Sequence, residues 1–320
     1  MMQTETSEAK QRQRHVVLGS GQIGTGLARL LHARGHEVVS VRRSAKGGAD
    51  GVQVVVGDVA DPAFAEHVAA GADVLYHVMN PAYHRWAAEL PKLTDGVLHA
   101  AETSGARLVV LDNLYAFGRM GGVAMREDSV EAPCSKKGEL RQAMAARFFA
   151  AHHAGKARVA IGRASDFVGP EIVQAHIGER FFQRVLAGKA GECMGDPALP
   201  HAFSYGPDVV AGLAKLGEDD AALGHAWHLP TLPARSMNDW AVALGKELGR
   251  SIRVTSVPGF VVRLLGVFVP EMRELVEMRY QWAEPYLLDD ARARAAFGLE
   301  PTAFEDQVRA TAAWAKKAYS

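Results

Sequence analysis

The first chemically informative feature is a glycine-rich loop that follows a short apolar run near the start of the chain. Apolar residues at 15–18 predict a strand and a helical period begins at Ile23, so the loop joins a strand to a helix. In such a loop the first glycine permits a tight turn, the second lets the backbone approach a pyrophosphate, and the third lets the helix pack closely. Free N–H groups at the helix start attract the phosphates. The predicted dinucleotide site consists of Gly19, Gly21, Gln22, Ile23 and Gly24.

The end of the next predicted strand bears on which dinucleotide is bound. Arg42 and Arg43 stand where an acidic residue would bind the ribose 2′-hydroxyl of NAD. A guanidinium makes paired, charge-assisted bonds to phosphate oxygens, so the arginines favour NADP(H) over NAD(H). A solvated basic turn would leave the choice open. We also expect Asp58 on the adenine side, and Val78 and Asn80 near the ribose and nicotinamide.

Four residues are candidates for catalysis. Tyr115 is the first choice as proton donor, because it lies in a loop at the carboxyl end of a predicted strand, where ligands bind. A packing tyrosine under the loop is the alternative. Asn113 could exchange hydrogen bonds with a substrate but supplies no proton. Lys137 or Arg141 could hold the nicotinamide ribose or a substrate anion, although charged residues at a helix start are often simply solvated.

Four aromatic residues and one histidine could form the wall of a mostly apolar substrate pocket, although each could equally belong to the core. The candidates for this pocket are Tyr83, Trp86, Phe167, His201 and Tyr205. We expect no metal site. His152 and His153 are neighbours on a helix and face different ways, while the odd spacing of His225 and His228 points their rings to opposite faces of a strand.

The elements that must position these residues alternate in the first half of the chain. Nearly continuous apolar runs predict strands at 15–18, 37–42, 52–56, 73–78, 107–112 and 158–163, with helices between them. One helix after Asn80 is expected to break near Pro91, and a long helix is expected at 137–153. This pattern predicts an α/β fold, a Rossmann-type doubly wound parallel sheet with a smaller C-terminal substrate-binding lobe.

The predicted domains follow from the same pattern. Residues 1–14 are polar and are expected to form a disordered tail, residues 15–168 the dinucleotide-binding Rossmann domain, and residues 169–320 mainly the substrate-binding lobe. Segments at about 201–230 are expected to return to the Rossmann sheet.

The composition of the chain argues against some classes of binding partner. Lys and Arg together number 36, as do Asp and Glu, and this balance argues against nucleic acid and against a polybasic membrane anchor. Two cysteines are too few for a disulfide framework, and the N-terminus lacks a signal-peptide core, so a cytoplasmic protein with a small-molecule substrate is expected.

From about His15 onward the chain resembles an extended short-chain dehydrogenase/reductase of the NAD-dependent epimerase/dehydratase group. The resemblance is carried by the glycine loop, by residues 111–118 and by the stretch Arg163-Ala-Ser-Asp-Phe-Val-Gly-Pro170. It continues in the Gly195-Asp196 turn and in residues 201–208 and 287–314. It implies the Rossmann-type fold and, as a further expectation, a homodimer packed through the helix at 137–153.

The chain departs from that group at the positions that the group uses for catalysis. The resemblance places Asn113 at the position of the catalytic Ser, and the run Lys137-Gly-Glu-Leu-Arg141 at that of the Tyr-x-x-x-Lys pair. The chain therefore resembles the atypical members of the group, whose tetrad is poorly kept. His201 aligns with an arginine that grips the diphosphate in sugar-nucleotide members, which makes such a substrate less expected.

The sequence is compatible with three functions. The leading prediction is an NADP(H)-dependent oxidoreductase that reduces a small, fairly apolar carbonyl, imine or activated alkene. The second is an epimerase or dehydratase that retains its cofactor, and the missing Tyr and Lys count against it. The third is a non-catalytic NADP(H)-binding sensor.

Overall fold

The computed structural model describes residues 12–44, 48–267 and 270–319. The predicted disordered tail at residues 1–14 lies outside these ranges except for its last three residues, and Arg14 already belongs to the first strand.

The strands of the first half lie close to the predicted runs, and three of them match the predicted bounds. The strands are β1 (Arg14–Leu18), β2 (Glu37–Arg42), β3 (Gln53–Val56), β4 (Val74–His77), β5 (Arg107–Asp112), β6 (Arg158–Arg163), β7 (Asp166–Val168), β8 (Gly191–Met194), β9 (Phe203–Tyr205), β10 (Ala226–His228) and β11 (Val254–Val257).

Seven strands form one parallel sheet in the order β10-β6-β5-β4-β1-β2-β3. The chain moves outward from β1 in one direction through β3 and then restarts beside β1 at β4. Such a reversal leaves a crevice beyond the carboxyl ends of β1 and β4, where ligands bind in this class of sheet. The predicted doubly wound Rossmann-type sheet is confirmed.

Helices cover both faces of this sheet. The helices are α1 (Gln22–Ala33), α2 (Pro62–Ala69), α3 (Trp86–Ser104), α4 (Lys136–His153), α5 (Glu179–Leu186), α6 (Gly206–Glu218), α7 (Met237–Leu248), α8 (Gly259–Gly266), α9 (Pro270–Met278), α10 (Ala291–Phe297) and α11 (Phe304–Tyr319). One apolar core joins the sheet to α2, α3 and α4, and a second joins its other face to α1 and α6.

The second half builds a third apolar core from α5, α7 and α11, beside two small parallel sheets, β8 with β11 and β7 with β9. The chain returns once to the main sheet, where β10 pairs with β6. The division of the chain into two domains near residue 168 stays a prediction.

The expected helix break near Pro91 is wrong, because α3 runs through Pro91 without interruption. Pro91 is the sixth residue of the helix, so its ring removes a single hydrogen bond in the second turn. Burial of Trp86, Leu90 and Val97 on the same helix holds the two parts together.

No helix in the described ranges is both long and apolar enough to cross a membrane.

Candidate functional site

The glycine loop lies between β1 and α1 at the reversal point of the sheet. Gly19 has φ +112°, and its N–H donates to the Val41 carbonyl at 3.0 Å, so the loop is tied to β2. A Cβ on Gly24 would lie 1.9 Å from the Gly19 carbonyl oxygen. A Cβ on Gly21 would meet nothing within 4 Å. Gly19 and Gly24 thus serve the turn and its packing, while Gly21 leaves open space above the loop.

The N-terminus of α1 faces that space. Among the described residues no side chain caps this helix end, so its N–H groups and the positive end of its dipole are available to an anion. The open space belongs to one cavity of about 1180 Å³ that continues past the ends of β4 and β5 to α5. Its size suits a dinucleotide with a small substrate, and the cradle fits the pyrophosphate of such a cofactor.

Most of the residues predicted from sequence lie on the wall of this cavity. Those predicted for the cofactor are Gly19, Gly21, Gln22, Ile23, Arg42, Arg43, Asp58, Val78 and Asn80. Those predicted for catalysis or for the substrate pocket are Tyr83, Asn113, Tyr115, Arg141 and Phe167. Gly24, Trp86, Lys137, His201 and Tyr205 are not on the described part of the wall.

The basic residues after β2 are partly engaged within the chain. The Arg43 guanidinium lies 3.5 Å from the Glu89 carboxylate of α3, which also forms an ion pair with Arg85. Asp58 accepts a hydrogen bond from the Ala60 N–H at 3.0 Å while it faces the cavity. A phosphate placed beside Arg43 would also face Glu89 and Asp58.

A pair of tyrosines occupies the centre of the cavity wall. The hydroxyl oxygens of Tyr83 and Tyr115 lie 2.5 Å apart, and both rings pack on Trp86. Burial raises the pKa of Tyr83 to about 12. Burial, with the nearby Tyr83 hydroxyl and the Asp166 carboxylate, raises the pKa of Tyr115 well above its usual value. Both hydroxyls therefore stay protonated near neutral pH and act as hydrogen-bond donors.

The Asn113 side chain is hydrogen-bonded to the backbone. Its Oδ1 accepts a hydrogen bond from the Tyr115 N–H at 3.0 Å and so fixes the short turn Tyr115–Phe117. This contact orients Tyr115 towards the cavity.

Lys137 and Arg141 at the start of α4 have different surroundings. The Lys137 ammonium is buried, forms ion pairs with Glu274 and Glu277, and lies 5.3 Å from the centre of the Tyr83 ring. Arg141 reaches the cavity wall, where it donates to Asn80 Oδ1 at 2.6 Å. Lys137 thus lies over the Tyr83 ring, and Arg141 fixes Asn80 in the loop after β4.

The sequence reasoning missed a second polar group on the wall, at Asp166. Its carboxylate accepts from His201 Nε2 at 2.8 Å and lies 3.9 Å from His176 Nε2. Burial alone would raise the pKa of Asp166, but the hydrogen bond from His201 and the charges of both imidazoles hold this pKa below its usual value. Asp166 stands inside the stretch 163–170 that carried the resemblance, so the sequence did contain a signal for it.

The sequence reasoning also missed the charged far end of the cavity. Glu192 of β8 accepts hydrogen bonds from Arg180 at 2.6 and 3.0 Å and pairs with Arg184 at 3.1 Å. Two guanidiniums share one carboxylate, which leaves a net positive charge. Because this charge and Asp166 lie on the wall, the expectation of a fairly apolar substrate is wrong.

The buried aromatic candidates have packing roles. Tyr205 lies in the core of the second half, against Gly169, while Trp86 supports the two tyrosines. The His201 ring stacks on the rings of Trp282 and Tyr286, with distances between ring centres of 3.8 Å and 5.0 Å, respectively. No group of three or more His, Cys, Asp or Glu side chains in the described ranges is arranged to hold a metal.

The fold is shared with sugar-nucleotide epimerases of known structure. UDP-glucuronic acid 4-epimerase from Bacillus cereus, solved with UDP-glucuronic acid and NAD, is 18% identical at a TM-score of 0.77 and covers 96% of this chain and 100% of its own. UDP-N-acetylglucosamine 4-epimerase from Methanobrevibacter ruminantium, solved in complex with UDP-N-acetylmuramic acid, is 16% identical to this chain at a TM-score of 0.79. The match covers 96% of this chain and 99% of that structure's chain.

A third solved structure is an epimerase from Methanothermobacter thermautotrophicus, 16% identical at a TM-score of 0.80, which covers 97% of this chain and 94% of its own. No curated protein matches the chain.

These comparisons correct two predictions. The preference for NADP(H) is wrong, since the similar structures with a cofactor contain NAD. The physical reason is that carboxylates stand near the two arginines in the fold. Glu89 lies 3.5 Å from Arg43, which the count along the sequence could not show, and Asp58 lines the same cavity. The NADPH-dependent reductase is also wrong, because the similar proteins named by activity are epimerases.

The family is established by sequence. Residues 16–228 match the sequence profile of the NAD dependent epimerase/dehydratase family, and this match covers the glycine loop, the tyrosine pair and Asp166. The chain belongs to the NAD dependent epimerase/dehydratase family.

Proposed function

We propose that the protein is an epimerase or dehydratase that retains NAD(H) and acts on a hydroxyl-bearing substrate of the sugar-nucleotide class. The observation that carries the proposal is the single cavity, which joins the glycine loop to the tyrosine pair and to the cationic end at Arg180. Family membership and the sugar-nucleotide epimerases of the same fold support it.

The cofactor half of the cavity would hold NAD through residues that already face it. The N–H groups of Gln22 and Ile23 would bind the pyrophosphate above Gly21. Arg42 and Asp58 would face the adenosine, and Val78 and Asn80 the nicotinamide half. Bound NAD⁺ supplies an acceptor for a hydride from a substrate carbon and can return it.

The substrate half supplies donors and cations. Tyr115, which can accept from Tyr83, would donate its own proton in a hydrogen bond to the reacting substrate oxygen. Arg180 and Arg184 would meet the phosphates of the substrate, a role that the buried His201 does not fill.

Turnover of UDP-hexoses with purified protein tests this function. An epimerase or dehydratase returns the hydride that it removes, so product forms with no net change in NAD(H), which NMR of the sugar and absorbance at the nicotinamide band would show together. Stoichiometric consumption of NADH or NADPH for each product formed would contradict the proposal.

Two glycine substitutions separate cofactor binding from folding. Gly21→Ala should fold normally, because its Cβ has no neighbour within 4 Å. It should weaken NAD binding about 10-fold or more, which corresponds to roughly 1.4 kcal/mol of binding free energy, because the added methyl group obstructs the approach of the pyrophosphate to the backbone. Isothermal titration calorimetry with NAD⁺ measures this loss of affinity. Affinity within twofold of the wild type would show that the pyrophosphate lies elsewhere.

Gly24→Ala is the contrasting variant. Its Cβ would lie 1.9 Å from the Gly19 carbonyl oxygen, so the helix must move, and we expect a loss of about 3 kcal/mol in the free energy of unfolding. Urea denaturation of both variants measures the difference between them.

A further inference from the structure

We propose that His176 is the acid–base residue of this site and that Asp166, fixed by His201, is its positioning partner; the inference rests on the proposed function. His176 and Asp166 both lie on the cavity wall that also bears the tyrosine pair.

The chemistry requires a group that none of the predicted catalytic residues supplies. Oxidation of a hydroxyl releases a proton, and a positioned base must accept it. Tyr83 and Tyr115 are held protonated by burial. Lys137 is buried in ion pairs with two glutamates of α9 and is not on the described part of the cavity wall. Arg141 does not lose its proton in proteins, and the Asn113 amide accepts none. Another acceptor on the same wall is therefore needed.

The geometry around Asp166 meets this need. His201 Nε2 lies 2.8 Å from the carboxylate, and because an ionised carboxylate only accepts, this nitrogen carries the proton. His201 is 2% exposed and packs on Trp282, so its role is to fix Asp166. His176 also contacts Trp282, with ring centres 4.2 Å apart, and is the imidazole that reaches the cavity.

The protonation state expected of the His176 imidazole suits a general base. Its charged neighbours are Asp166 and His201. Burial lowers the pKa of His176 below its ordinary value of 6.5, although Asp166 acts in the opposite direction. The imidazole is therefore neutral at pH 7, and Asp166 is placed to stabilise its protonated form. Since Nε2 lies 3.9 Å from the Asp166 carboxylate, we assign proton acceptance to Nδ1.

A nearby hydroxyl indicates where a polar ligand group sits. The Tyr286 hydroxyl is buried and makes no hydrogen bond to any described residue, although its ring packs on His201 and the side chain lines the cavity. Buried hydroxyls are normally paired, so a substrate oxygen would complete this one.

His176 accepts the hydroxyl proton of the substrate at Nδ1, while bound NAD⁺ would accept the hydride from the same carbon, so that the C–O bond becomes a carbonyl. In the reverse direction the reduced cofactor would return the hydride to that carbon, and His176 gives the proton back to the oxygen. The hydroxyls of Tyr115 and Tyr286 donate to the oxygen throughout.

Two measurements test the inference. The first is an NMR titration of His176, assigned with His176→Gln, in wild type and in Asp166→Asn. We expect a His176 pKa below 6.5 that falls further in Asp166→Asn, because the imidazolium loses its partner. A His176 pKa unchanged by Asp166→Asn would overturn the proposal whatever the activity.

The second measurement is the pH dependence of kcat/KM with the UDP-hexose that the wild type turns over. His176→Gln should lose about 100-fold or more in kcat, keep its NAD affinity, and lose the acidic limb of the profile. The surface variant His153→Gln should match the wild type. Turnover by His176→Gln within threefold of the wild type would overturn the inference alone, whereas a wild type without turnover on any hydroxyl substrate would refute the proposed function and the inference with it.

Discussion

Tyr115→Phe is expected to lower kcat by roughly 100-fold or more while leaving the affinity for NAD unchanged. The hydroxyls of Tyr83 and Tyr115 lie 2.5 Å apart on the cavity wall, and both are kept protonated by burial. Removing one hydroxyl takes away the donor to the reacting oxygen and leaves the Tyr83 hydroxyl without its partner. Single-turnover kinetics with bound NAD would measure the loss in the chemical step.

Tyr76→Phe is the matched control. Tyr76 is a buried tyrosine of β4 whose hydroxyl makes no hydrogen bond to any described side chain, and it belongs to the core rather than to the cavity wall. The same atom is removed from both tyrosines, but of the two only Tyr115 lines the cavity. A Tyr115→Phe variant that turns over within threefold of the wild type would remove Tyr115 from the mechanism.

Asp112→Ala is expected to cost roughly 3–5 kcal/mol in the free energy of unfolding. Asp112 is buried at the end of β5, with its two oxygens 3.5 Å from Arg141 and 3.4 Å from Arg163. Both guanidiniums are themselves buried. Removal of the carboxylate leaves two buried cations close together, and of the two only Arg163 keeps a second anionic partner among the described residues, Glu131 at 2.5 Å.

Asp95→Ala provides the control for this prediction. Asp95 pairs with Arg147 on the surface between α3 and α4, with 64% of its side chain exposed, so its loss should cost less than about 1 kcal/mol. Denaturant titration with comparison of midpoint and slope measures both variants. A loss below about 1 kcal/mol for Asp112→Ala would show that the buried network does not hold the end of β5.

The features that the sequence predicted well depend on neighbouring residues. The bounds of β2, β5 and β6 follow from continuous apolar runs, and the position of the glycine loop follows from the strand before it and the helix after it. Even the positions of Tyr115 and Asn113 on the cavity wall follow from their place after a parallel strand.

The features that the sequence did not predict depend on distant residues. Glu89, which stands 46 positions after Arg43, lies beside it in the fold, so a carboxylate lies next to an arginine that was expected to bind a 2′-phosphate. Lys137 is enclosed by Glu274 and Glu277 of α9, so its position at a helix start says little about its role. His176 lies in a loop without a periodic pattern, and only the fold brings it beside Asp166.

Analysis of the nucleotide released from the purified protein by denaturation tests the central claim most directly. The protein is proposed to retain NAD(H) in the cleft above Gly21, so chromatography and mass spectrometry of the released material should find NAD⁺ or NADH, and much less of it from Gly21→Ala. Release of NADP(H), or retention of NAD(H) to the same extent by Gly21→Ala, would contradict the account.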